Sequence, residues 1–150
     1  MTYKLLDETT GTDRLFEALI EKITDKGAMD LQEEMNKEKP AKEILNKALA
    51  LMEDEMKHPD GSLSIAIYEY AETVNRDVME KLNANAQEKW RKLIRYGIKR
   101  GEFNNVDVDE IVSVILYSYQ GARMWSRIIP MKPKVFRSIA EHIRKQLTGG

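Results

Sequence analysis

The side chains best suited to chemistry in this chain are polar and aromatic residues set into otherwise apolar stretches. Tyr68 and Glu72 are four positions apart in "SIAIYEYAETV", the spacing that puts two side chains on one helix face. Trp90 interrupts a later apolar stripe, and Tyr119 and Gln120 interrupt another. Met52 and Met56 add flexible thioether surface of the kind that adapts to varied ligands. Such a set suits the enclosure of a small, mostly apolar molecule held by a few directed polar contacts. If Glu72 were buried it would favour a cationic group, because an unpaired carboxylate away from water is costly. Each methionine and aromatic in the set equally fits plain core packing, and Glu72 equally fits an exposed surface.

Covalent chemistry finds less support. His58 and His142 fall in separate segments with no acidic spacing around them, which describes surface histidines better than a metal site. Glu69 and Glu72 stand at i, i+3 without a companion histidine or a second pair, so a di-metal site is not expected. No glycine-rich phosphate loop occurs, and no serine is set in a nucleophile motif. The chain has no cysteine, which excludes disulfides and thiolate metal ligands. The expectation is a non-enzyme with no metal and no cofactor.

Composition narrows the partners. The chain of 150 residues is 42% apolar and 33% charged, a globular balance with enough length for one core. Its net charge of −1 supplies no field toward nucleic acid or an anionic membrane. "KEKPAKE" and "KPKVFR" read as solvated faces. No apolar run approaches the roughly 18 residues that span a bilayer. The opening "MTYKLLDETTGTD" lacks the basic-then-apolar order of a signal peptide, so a cytoplasmic location is expected.

The elements that must carry these residues are helical. Apolar positions recur at helical spacing between sparse breakers and no strand pattern is seen, which predicts an all-α fold of about six helices. The first starts near Thr10, where Thr10 and Asp13 fit a capping box, and carries a stripe from Phe16 to Met35. The second runs from about Ala41 to Lys57. The third is the short stretch around Tyr68, apolar on more than one side. The fourth spans about Val78 to Lys99, with Gly101 as its terminator. Asp107 caps the fifth, which ends at Pro130, and Pro133 opens the sixth, which reaches about Leu147.

The fifth helix is unusual. On a helical wheel Val108, Ile111, Val112, Ile115, Tyr119 and Ala122 fall on one face. Val114, Tyr117, Gly121, Met124, Trp125 and Ile128 fall on the opposite one, and by residue type Arg123 and Arg127 suit water. Two covers are open for the second face. Either the helix is the centre of a monomeric bundle, or that face meets a second copy across a two-fold axis. Gly121, costly in a helix interior, favours close approach by another backbone, and Tyr117, Met124 and Trp125 are interface-prone types.

Several segments in order resemble the effector-binding and dimerisation half of TetR-family transcriptional repressors. They are "RLFEALIEKI", "EYAETVNRD", "GIKRGEF" with the following "VDVDE", and "YQG" inside the next helix, and the likeness covers about residues 13 to 147. The resemblance implies a homodimer in which the last two helices of each subunit form a four-helix bundle. It also implies a small, lipophilic effector held among the helices. On this reading Met52, Met56, Tyr68, Glu72, Trp90, Tyr119 and Gln120 are candidate effector contacts. Tyr117, Gly121, Met124, Trp125, Ile139 and Ile143 are candidate dimer contacts. The expected division is an N-terminal remnant or leader over residues 1–12, the effector-binding and dimerisation domain over 13–147, and a tail over 148–150. Only about a dozen residues precede "RLFEALIEKI", too few for the family's helix-turn-helix reader, so the given residues are expected to be a truncated repressor or a natural form without a reader. Binding to operator DNA is therefore expected only if such a reader is supplied. An alternative is a natural anti-repressor that pairs with a complete repressor and disables it.

Overall fold

The computed structural model describes residue 18 and residues 30–58 and 76–149, apart from the side chain of Val78. Five helices lie among them: α1 Leu31–Asn36, α2 Ala41–Lys57, α3 Arg76–Lys99, α4 Val108–Ile128 and α5 Pro133–Thr148. The described residues contain no strand, so the fold is all-α. The expected short helix around Tyr68 and most of the expected first helix lie outside the described residues.

One boundary differs from expectation. The stripe ending at Met35 suggests a single helix from Thr10, but Asp30 has extended backbone and its carboxylate accepts the Glu33 amide at 3.1 Å. A helix therefore begins afresh at Leu31. An aspartate at that position satisfies an orphan amide of the first turn, and a continuous helix would leave it nothing to cap.

The centre of the described structure is α2, which packs against α1, α3, α4 and α5. Its Ile44, Leu45, Leu49 and Met56 are fully buried. They meet a core that includes Leu93 and Ile94 of α3, Val112 and Ile115 of α4, and Phe136, Ile143 and Leu147 of α5. Burying each such side chain contributes about 1.5–3 kcal/mol. The central position belongs to α2, so α4 lies at the edge of the core with one face outward.

The joint between α3 and α4 fastens three helices at once. Gly101 turns the chain in the left-handed region (φ 74°), where a side chain is disfavoured. Gly97 is needed because a Cβ there would overlap the buried Phe103 ring. Glu102 then reaches back to the start of α2, whose N-cap is Pro40 and offers no side-chain acceptor. Its carboxylate accepts from Ala41 N at 2.9 Å, Lys42 N at 3.3 Å and Arg100 Nε at 2.7 Å. Burial alone would raise this carboxyl, but the bonds from Ala41, Arg100 and Lys42 outweigh it and hold Glu102 below the usual range. Asn104 closes the other end: its amide donates to Leu147 O at 2.7 Å, and its side chain donates to Gln146 O and Gly149 O. "GEFN" is thus an architectural motif.

Candidate functional site

Helix α4 carries both candidate sites, on opposite faces of the same turns. Asp107 starts it, accepting the Glu110 amide at 3.1 Å as the sequence predicts. Asp109 ties it to α3 by accepting Arg91 Nε at 2.7 Å.

The inner face is sealed except for one polar cluster. Val112, Ile115, Leu116 and Ala122 are buried, and with them Arg123, at 3% exposure. The Arg123 guanidinium donates to the Tyr119 hydroxyl at 2.7 Å and lies over the Tyr119 ring, 4.8 Å from its centroid. The Tyr119 hydroxyl in turn donates to Glu55 of α2. Ser126 adds a second tie, donating to Arg123 O at 3.0 Å and Met56 O at 3.4 Å. Tyr119 thus relays between a cation and an anion on two helices. That arrangement keeps a charge inside the domain at lower cost than an unpaired one.

This corrects the expectation for Arg123. Residue type sends arginine to water, but its helical phase sets it beside Val112 and Tyr119 on the buried side. The i, i+4 spacing of Tyr119 and Arg123 was the available signal. Glu55 gave none, since its partner is 64 positions away.

Of the expected effector residues, Met52 and Met56 are buried on the same α2 segment as Glu55, and Tyr119 bonds to that segment. Gln120 is half-buried beside Tyr119 in sequence. Trp90 packs half-buried on the shared core from α3. Tyr68 and Glu72 lie outside the described residues. His58 and His142 are both exposed, at the end of α2 and on α5.

The outer face is open. Val114, Tyr117, Met124, Trp125 and Ile128 are 45% to 70% exposed, a run of large apolar side chains from the second turn of the helix to its end. Beside its first half, a groove of about 810 Å³ separates α4 from α5. Ile111, Val114, Val135, Ile139 and Ile143 line it, with Glu110 and His142. Ile139 is half-buried there. Ile143 is 3% exposed, so this expected dimer contact is a core residue forming part of the groove wall. Soluble monomers rarely leave so continuous an apolar surface uncovered.

The fold and these two faces define an all-helical domain with a charged relay inside and an apolar face outside. Compared with known proteins, the chain matches no family model, no curated protein and no solved structure. No helix among the described residues is long and apolar enough to cross a membrane.

Proposed function

We propose that this chain is the effector-sensing and dimerisation domain of a TetR-like transcriptional regulator, acting as a homodimer on a small lipophilic effector. The observation that carries the reading is the division of α4. Its inner face is locked to α2 through Glu55, Tyr119 and Arg123, while its outer face exposes Val114, Tyr117, Met124, Trp125 and Ile128. A sensor that reports across a subunit boundary needs one element touching both the interior and the partner, and α4 is such an element. The ordered motifs "EYAETVNRD", "GIKRGEF" and "YQG" support the same reading. The reading gives DNA binding to a separate reader domain, not to the residues of this chain.

Sedimentation equilibrium across a concentration series tests the dimer: the expected mass is twice the 17.4 kDa of the chain. A mass that stays at that of the single chain ends the reading. Thermal shift against a panel of apolar compounds tests the sensor. A ligand at a hundred times its dissociation constant adds about 2.7 kcal/mol to stability. The shift is expected to shrink in Tyr119→Phe, which keeps the ring and removes the relay hydroxyl.

A further inference from the structure

We infer that the outer face of α4 pairs with a second copy of this chain in one antiparallel register, centred between Tyr117 and Gly121, with Trp125 of each copy seated in the α4–α5 groove of the other. This rests on the dimeric reading above and adds to it the register, the orientation and the residue that locks them.

Three features of the face agree on that arrangement. The first is shape. Trp125, Met124 and Ile128 project from the last turns of α4, whereas the groove flanks its first turns. Trp125 follows Val114 by three helical turns, so the projection and the groove lie on the same flank at opposite ends of one helix. A two-fold axis across the helix keeps the flank and exchanges the ends. Each indole then falls on the groove of the second copy, as an isologous contact requires.

The second is the centre. Gly121 is helical, and a Cβ added there meets no described atom within 4 Å. Nothing described in the subunit therefore asks for glycine, although it destabilises a helix interior. In the antiparallel register the Tyr117 ring of one copy lies over Gly121 of the second, where a side chain would obstruct it. The register also brings Val114 opposite Met124 of the second copy.

The third is charge. The first turn of α4 carries Glu110 beside Asp109, which Arg91 already pairs, and its last turn carries Arg127. In the antiparallel register Glu110 of one copy lies opposite Ile128 of the other, next to its Arg127. Antiparallel pairing sets the acidic end of each helix beside the basic end of the other, and the helix dipoles oppose. Parallel pairing would instead stack like charges at both ends, so the charges choose the orientation.

The test uses the whole chain, whose lack of cysteine allows a single nitroxide at Ile128→Cys. In the antiparallel register the two labels sit at opposite ends of the paired helices, roughly 27 Å apart along the axis at 1.5 Å per residue. In a parallel pair they would lie within about 10 Å, the interaxial spacing. Pulsed dipolar spectroscopy on the labelled dimer distinguishes these, and a short distance overturns the register while leaving the dimer standing. A single-chain mass for the unlabelled protein overturns both. Gly121→Leu supplies an independent readout. It should fold, since its side chain enters space that no described atom occupies, yet raise the dimer dissociation constant at least tenfold. An unchanged constant also removes Gly121 as the crossing point and the register with it.

Discussion

The two faces of α4 are built from the same residue types and meet opposite fates. Val112, Ile115 and Leu116 are sealed against the core, while Val114 and Tyr117, drawn from the same turns, and Trp125, further along the helix, stand in the open. Conversely, Arg123, the one basic or acidic residue between the first and last turns of the helix, is on the sealed side. Apolar character therefore does not separate core from surface in this helix. What separates them is which face α2 and α3 reach, and the open face is a surface prepared for something else.

The comparison can be broken most forcefully from inside. Ile115→Ala removes a fully buried side chain and is expected to cost about 2–5 kcal/mol of folding stability at every protein concentration, read by urea denaturation. Trp125→Ala on the open face should behave differently. Its expected effect is a dimer dissociation constant about 30-fold higher, equivalent to about 2 kcal/mol, with the unfolding of dilute monomer hardly changed. Equal losses of monomer stability from both variants would erase the distinction between the faces.

A third variant concerns the joint that holds the sealed side together. Glu102→Ala uncaps α2 and is expected to cost about 1–2 kcal/mol. The pH dependence follows from the depressed carboxyl of Glu102. Its contribution is complete above the unfolded carboxylate value and is lost as pH falls through the lower folded value. Thermal melts from neutral to acid pH should therefore converge for wild type and Glu102→Ala at the acid end. Gly121→Ala sharpens the contrast with the smallest effect. It should stabilise the dilute monomer by about 0.5–1 kcal/mol through helix propensity while weakening the dimer, two changes of opposite sign in one variant.

Much of this architecture was legible in the residues. The α2 boundaries Ala41 and Lys57 follow from Pro40 and the His58-Pro59 stop, and the Asp107 cap and Pro133 start follow from their side-chain chemistry. The two apolar faces of α4 were legible too, because helical phase is a local property, but which of them the core covers was not. What escaped was non-local. The Glu55–Tyr119–Arg123 relay requires knowing that α2 and α4 meet, and Glu102 as the cap of α2 requires knowing where the joint folds back. Asp30 was hidden by an apolar stripe that runs through it in register. The stripe shared by Ile139 and Ile143 suggests one environment for both, and only packing separates the buried Ile143 from the half-buried Ile139.

The reach of Glu102 to Ala41 and Lys42 also has a bearing on how the chain comes together in time. The first turn of α2 is finished by a residue about sixty positions later, beyond all of α3. Helix ends usually fray on their own, faster than the molecule as a whole opens. Here the Ala41 and Lys42 amides are released only when the joint lets go, so their hydrogen exchange should follow the opening of the α2–α3–α4 unit. The contacts that complete the start of the central helix span a long stretch of sequence, so its first turn is expected to open and close together with the joint.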